Sequence, residues 1–239
     1  MSAPAKVTHV LLDLDGTLSD SEPGILRSLQ WACEIEGFPI PNEAQVRSVI
    51  GPPFEIGLPS IGIPDDALFR VIKTYRERYE TIGLFENTLY DGIVSMLDAL
   101  AAAGLSLSIA TAKPERTAVR IIDHFGLTER FEFIVGATLT QERRAKHQII
   151  THVLGLLGLE GGETGTPRVI PSVMPRVIMV GDRDHDVHGA LQNGLPCVGV
   201  TWGYGSVEEL LTAGAFALAD EPADVVDLVL APYRSDERP

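Results

Sequence analysis

The 239 residues carry 19 Lys and Arg against 33 Asp and Glu, a formal charge of −14, with 45% hydrophobic and 22% charged residues. That length can bury a sizeable core as one domain, or as one domain with an insertion, and the charge argues against nucleic acid or an anionic membrane as partner. Cys33 and Cys197 stand far apart, no apolar leader opens the chain, and no run approaches the roughly 18 residues of a spanning helix, so a soluble cytoplasmic protein with reduced thiols is expected.

The first predicted element is the apolar run Val10-Leu11-Leu12, a buried strand that ends in Asp13-Leu14-Asp15-Gly16-Thr17. Aspartate is depleted in strands, and burying one unpaired carboxylate costs several kcal/mol or forces its pKa upward. Residues i and i+2 of an extended chain point to the same side, so Asp13 and Asp15 face one space. Two like charges held together need a cation, a shared proton or both. A strand ending in a solvated Asp-rich turn would explain a bare Asp-x-Asp, but it explains the full string less well.

Residues 19–88 change character. Ile25, Leu29 and Cys33, then Phe69, Ile72, Tyr75 and Tyr79, recur at helical spacing. Between them, Gly51–Pro64 holds four prolines and three glycines, which predicts an irregular loop inside a helical insertion. From Leu89 strands and helices alternate: helix Ile93–Ala103, strand Leu105–Ala110, helix Glu115–Phe125, strand Phe131–Val135, helix Lys146–Leu157 and strand Arg176–Val180. Helix Val187–Asn193, strands Cys197–Val200 and Phe216–Ala219, and a helix near Ala223–Leu230 complete the pattern. The expected fold is α/β: a Rossmann-like parallel sheet with helices on both faces, built from residues 1–18 and 89–239, with 19–88 as an inserted α-helical cap. Gly161–Pro175 reads as a surface excursion whose Pro167-Arg-Val-Ile170 recurs as Pro175-Arg-Val-Ile178, and Ser235–Pro239 should fray.

Ligands of open parallel sheets bind outside the carboxyl ends of the strands. There the chain delivers Asp13 and Asp15, then Thr111-Ala112-Lys113, then Gly181-Asp182-Arg-Asp-His-Asp186, with Lys146 at a helix start bringing a cation to the same edge. Clustered carboxylates suit a hard cation, and Mg²⁺ takes one or two of them plus waters and phosphate oxygens. The thiolate or imidazole set suited to zinc is missing, as is the GxxxxGK[ST] loop of a P-loop nucleotidase. A hydroxyl, a lysine and backbone N–H groups are what phosphoryl oxygens need. One aspartate free to attack and another free to carry a proton complete a covalent phosphoryl transfer. Blander readings exist for each part. Asp182 and Asp186 can cap a helix, Thr111 and Lys113 can be loop residues, and Lys146 is one of several cations in Arg143-Arg144-Ala145-Lys146. His185 and His188 are expected on a solvated helix face, and Gly203-Tyr-Gly-Ser206 as a structural turn.

On these motifs the chain resembles, over nearly its whole length, the haloacid dehalogenase superfamily of aspartate-nucleophile hydrolases. Asp13-Leu-Asp15-Gly-Thr is similar to its first motif, Thr111 to the second, Lys146 to the third and Gly181-Asp182-x-x-x-Asp186 to the fourth. The third sits in an unusually charge-crowded string, Gln141-Glu-Arg-Arg-Ala-Lys146. Asp20-Ser-Glu-Pro-Gly24, Gly51-Pro-Pro-Phe54, Phe85–Gly92 and Trp202-Gly-Tyr-Gly-Ser206 resemble the phosphoglycolate phosphatase-like branch, which includes 5′-nucleotidase-like members. The resemblance implies a Mg²⁺-dependent phosphatase of small phosphorylated metabolites, monomeric or homodimeric, with Asp13 as nucleophile and Asp15 as acid and base. Gly16, Thr17, Thr111, Ala112, Lys113 and Lys146 would surround the phosphoryl group. The metal would be held by Asp13, the main-chain carbonyl of Asp15 and Asp182, while Asp186 would bind it through water or orient Lys146. A sugar-phosphate mutase is the nearest rival, while a phospho-receiver switch or a silent interaction protein fits less well. An acid at Asp15 serves an oxyanion leaving group and disfavours a dehalogenase.

Overall fold

The computed structural model describes residues 7–51, 54–138, 141–159 and 176–231. The Gly161–Pro175 excursion, with the first copy of its repeated tetrapeptide, and Ser235–Pro239 lie outside the described residues. In chain order the structure forms β1 (His9–Leu12), β2 (Ser19–Asp20), α1 (Glu22–Glu36), α2 (Glu43–Arg47), α3 (Phe54–Gly57), α4 (Leu68–Tyr79) and β3 (Thr88–Leu89). There follow α5 (Ile93–Ala102), β4 (Ser106–Pro114), α6 (Glu115–His124), β5 (Phe133–Ala137), α7 (Lys146–Leu156) and β6 (Val177–Gly181). The last elements are α8 (Asp184–Gln192), β7 (Cys197–Val200), α9 (Val207–Ala213), β8 (Ala217–Ala219) and α10 (Pro222–Leu230). No described helix is long and apolar enough to cross a membrane.

Six strands make one parallel sheet ordered β5-β4-β1-β6-β7-β8, the α/β architecture expected from the alternation of elements. β1 is central, and its side chains divide between two apolar layers. Val10 and Leu12 join Leu97 of α5, Ile121 of α6 and Val225 of α10, while Leu11 joins Ile149 of α7, Val187 of α8 and Leu210 of α9. Covering on both faces is why this strand reads as an unbroken apolar run. From β1 the chain moves outward through β4 and β5, then returns and moves outward the other way through β6, β7 and β8. The order reverses at β1, so the crevice at the carboxyl ends of β1, β4 and β6 is the switch point where such sheets hold ligands.

Residues between β2 and β3 are helical. The two short strands pair antiparallel, Ser19 with Leu89 and Asp20 with Thr88, so the chain leaves and re-enters the sheet region through adjacent connections. α1 packs on α4 through Ile25, Leu29 and Cys33 against Val71, Tyr75 and Tyr79. Phe69 departs from the expectation that it shares this stripe. It is 82% exposed, because the buried face of α4 centres on Val71 and Tyr75 and leaves Phe69 at its edge. The Gly51–Pro64 stretch is also more regular than expected, forming α3 and a 3₁₀ turn at Leu58–Ile61. Pro59 falls in the first turn of the latter, where a missing N–H leaves no hydrogen bond unmade. β4 runs beyond Ala110 to Pro114, so Thr111 and Lys113 belong to the end of a strand rather than to a loop. Its pairing with β5 shifts register between Ala110 and Pro114.

Candidate active site

Asp13 extends β1 by one rung, its N–H donating to Val180 O at 3.0 Å. The side chain is almost fully buried, and Lys146 Nζ stands 3.0 Å from its Oδ1. The same ammonium lies 2.7 Å from Asp186 Oδ1 and donates to Ala110 O at 2.9 Å. One buried cation therefore joins β1, β4 and the first turn of α8. Burial alone would lower the pKa of Lys146, but Asp13 and Asp186 outweigh it and hold the ammonium well above its ordinary value. Burial likewise pushes Asp186 up, and Lys146 and His185 overcome that, leaving it below the usual carboxylate range. Asp186 Oδ2 also accepts the Arg183 N–H at 3.1 Å, so the capping alternative is true of this residue without excluding the ion pair.

Asp182 is fully buried behind the turn after β1. Its Oδ1 accepts from the Thr17 hydroxyl at 3.3 Å and its Oδ2 from the Tyr204 N–H at 2.8 Å. Burial, then the charges of Asp186 and Asp13, push its pKa up to about 7. Gly16 makes the close approach possible. Its φ is +79°, and a Cβ there would sit 2.2 Å from Asp182 Oδ2. Asp15 lies two residues past Asp13 and meets Lys113, whose Nζ is 2.9 and 2.6 Å from its two carboxylate oxygens. Lys113 Nζ in turn lies 5.0 Å from the centroid of the Tyr79 ring. Thr111 precedes Lys113 by two positions and accepts the Lys113 N–H at 3.3 Å, so β4 repeats the i, i+2 spacing that β1 uses.

These groups open onto a cavity of about 400 Å³. Asp13, Asp15, Thr111, Ala112 and Lys113 line its floor, and Ile50, Phe54, Tyr75 and Tyr79 contribute from the helical residues above. The structure thus brings Asp13, Asp15, Thr111, Ala112, Lys113 and Lys146 together. Gly16, Thr17 and Asp182 form the layer behind them. The crowded basic string sorts itself: Arg143 pairs with Glu115 and Arg144 with Glu55, which leaves Lys146 alone to enter the core.

His185 corrects an expectation. His188 is exposed as expected, but His185 faces the cavity, its Nε2 3.9 Å from Asp186 Oδ1, because the first turn of α8 points that side toward the sheet edge. Sequence reasoning also missed Tyr204. Its hydroxyl accepts the N–H groups of Ser21 and Glu22 at 2.9 and 3.0 Å and donates to Asp20 Oδ1 at 3.1 Å. The Trp202 indole N–H donates to Thr17 O at 3.0 Å. The 203–206 turn is thus structural, and it braces both Asp182 and the start of α1. The sequence marked the turn but not these partners, since Ser21 and Thr17 lie more than 180 positions away.

The donor set suits a hard cation. Asp13 Oδ1 and Asp186 Oδ1 are buried and, apart from the ion pairs with Lys146, have no hydrogen-bond partner among the described residues. Asp13, His185 and Asp186 bring ligand atoms within 4.8 Å of one another. Two buried carboxylates on one ammonium, with a third, Asp182, close by in the layer behind, leave excess negative charge that a divalent ion would neutralise.

Known proteins share this arrangement of chain. The family profile for haloacid dehalogenase-like hydrolases matches residues 10–200. A 5′-nucleotidase of Pseudomonas aeruginosa is 36% identical over 209 residues, covering 87% of this chain and 89% of that protein. Tyrosine-protein kinase PtkA of Mycobacterium tuberculosis is 39% identical over 199 residues, 83% of this chain and 64% of that one. A phosphoglycolate phosphatase of Yersinia pestis is 27% identical over 97% of both chains. Among solved structures, a predicted phosphatase from Clostridium acetobutylicum superposes with a TM-score of 0.83 at 32% identity, covering 95% of this chain and 99% of the other.

Proposed function

Because this chain belongs to the haloacid dehalogenase-like hydrolases, in the phosphoglycolate phosphatase-like branch, and is a phosphatase of phosphate monoesters, we propose that it works through an aspartyl-phosphate on Asp13. The observation that carries this reading is the buried Asp13 carboxylate, held by Lys146 and open on its other side to the cavity. An Asp13 oxygen bonds to phosphorus as the ester oxygen–phosphorus bond breaks, and Asp15 gives its proton to the departing alkoxide. Asp15 then takes a proton from water as the water oxygen attacks phosphorus, the Asp13–phosphorus bond breaks, and inorganic phosphate leaves.

Each neighbour has a role in that cycle. Lys146, anchored by Asp186, keeps Asp13 oriented and faces the charge that develops on the phosphoryl oxygens. Lys113 is paired with both oxygens of Asp15 in the free site. A phosphoryl dianion competes for that ammonium, which frees Asp15 to carry a proton. Thr111 and the backbone N–H groups at Leu14, Asp15 and Ala112 serve the remaining oxygens, while the Gly16 N–H is taken by Ser19 O at 2.9 Å. Asp13, the Asp15 carbonyl and Asp182 would hold Mg²⁺, with Asp186 binding through water or orienting Lys146, and the ion would neutralise phosphoryl charge. Residues 19–88 act as a cap over residues 1–18 and 89–239, moving about the β2–β3 connections to exclude water. The substrate is a small phosphorylated metabolite in the range of 2-phosphoglycolate and 5′-nucleotides, as the names of the relatives support.

The test is phosphate release by the purified protein from a panel of monoesters with Mg²⁺, together with acid-quench trapping of phosphoprotein from ³²P-labelled substrate. Label is expected on Asp13 and absent from Asp13→Asn, which should also lose turnover. Substantial hydrolysis by a folded Asp13→Asn protein would overturn the covalent route.

A further inference from the structure

We propose that the leaving group is a flat ring system, read by an aromatic wall made of Tyr79, Tyr75 and Phe54. The inference rests on the phosphatase reading and names the substrate class of that site. The wall begins at the reaction centre: the Lys113 ammonium that holds Asp15 stands 5.0 Å from the centroid of Tyr79. Tyr79 stacks on Tyr75 with centroids 5.1 Å apart and planes 15° from parallel, and Phe54 meets Tyr75 edge-on at 4.8 Å. All three line the cavity, Phe54 partly buried and Tyr75 and Tyr79 at 7% and 5% exposure, so a ring carried outward from the phosphorus has aromatic groups beside it.

Three further observations point the same way. The cavity, at about 400 Å³, is in the range that encloses a ligand of many heavy atoms, and a two-carbon acid would leave most of it unfilled. The Tyr79 hydroxyl is buried and has no hydrogen-bond partner among the described residues, although buried tyrosine hydroxyls ordinarily find one. It is closed off in this structure, and a polar group of a leaving group that reached it would supply the missing partner. Arg76, exposed at the rim one residue past Tyr75, has no ion pair among the described residues and can donate to acceptors on a ring edge.

Binding and turnover decide the matter separately. Dissociation constants are measured by calorimetry on Asp13→Asn, and kcat/KM on the wild type, for nucleoside 5′-monophosphates, phenyl phosphate, ribose 5-phosphate and 2-phosphoglycolate. The ring-bearing esters should be favoured by on the order of tenfold or more, the worth of one stacked ring. Phe54→Leu and Tyr75→Leu, which keep apolar bulk and remove the ring, should each move that ratio toward one, with melting temperatures verifying folding. A purine-over-phenyl preference would identify a nucleoside as the source of the ring, and the reverse an aryl alcohol. Equal or better use of ribose 5-phosphate or 2-phosphoglycolate overturns the inference while leaving the phosphatase reading intact, as does a ring preference unchanged in both folded variants. If the wild type hydrolyses none of the esters, the phosphatase reading fails, and the binding order on Asp13→Asn still decides for or against the ring.

Discussion

Lys146 governs the electrostatics of the site at the scale of single residues, because its ammonium is paired with two buried carboxylates, Asp13 and Asp186. Lys146→Met keeps the bulk and removes the charge, leaving those carboxylates uncompensated. Breaking one side of a buried ionic cluster costs about 3–5 kcal/mol, so a large fall in denaturation midpoint is expected together with loss of turnover. A variant as stable as the wild type would mean that the cluster is already relieved by water or ions. Asp182 makes the complementary prediction. Its folded pKa is raised to about 7, above its unfolded value, so the folded state holds a proton that the unfolded state has lost between the two. Stability of metal-free protein should therefore be greatest at low pH within that window and decline as pH rises toward 7. His185, whose pKa is also raised against the opposing effect of burial, by Asp186 first and then Asp184, adds a decline of the same sign. Saturating Mg²⁺ should remove most of the slope, and Asp182→Asn should flatten it without metal. A melting temperature of the chelated wild type that climbs steadily from pH 5 to 8 would contradict this account.

Spacing between elements sets where that lysine sits. α7 and α8 pack side by side, and Gly189 of α8 lies against the root of Lys146: a Cβ there would be 2.7 Å from Lys146 Cγ and 3.1 Å from His147 N. The backbone of α7 cannot yield without moving Lys146 relative to Asp13. Gly189→Ala should therefore cost about 1–3 kcal/mol through overpacking, despite alanine being the better helix former. It should also lower kcat more than KM, since the misplaced group acts on the reacting atoms. Unfolding curves and steady-state rates check both, and a stabilised, fully active variant would show that the helices separate freely.

Across the whole molecule, the helical residues share an apolar core with the sheet, in which Ile25, Leu29, Val46 and Tyr79 cluster with Val10, Leu12 and Leu107, and polar ties add to it. Arg144 meets Glu55 at 2.9 Å, Arg183 donates to Ile50 O at 2.6 Å, and Arg120 donates to Glu80 O at 2.8 Å. Of these, only Arg144 and Glu55 form an ion pair, and a partly exposed pair of this kind contributes about 0–1 kcal/mol. Glu55→Gln should change the melting temperature little and, under the proposed closure of residues 19–88 over the site, alter KM several-fold. Stopped-flow substrate binding beside thermal melts would check this. An unchanged KM would mean that Glu55 and Arg144 do not report on closure.

The sequence by itself determined the α/β class, the order of strands and helices, and the residues that gather at the sheet edge. Those properties follow from local periodicity and from the cost of aspartate at the end of an apolar strand. Even Lys113 was legible, since it shares with Thr111 the i, i+2 spacing of Asp13 and Asp15. Packing alone decided which cation of Arg143-Arg144-Ala145-Lys146 enters the core, because that depends on Gly189 of another helix and on carboxylates more than 30 positions away. Tertiary structure likewise turned His185 inward, tied Tyr204 to both Asp182 and the start of α1, and assembled Phe54, Tyr75 and Tyr79 into one wall. Periodicity tells a residue which face of its own element it occupies, and only the neighbouring element settles what that face meets.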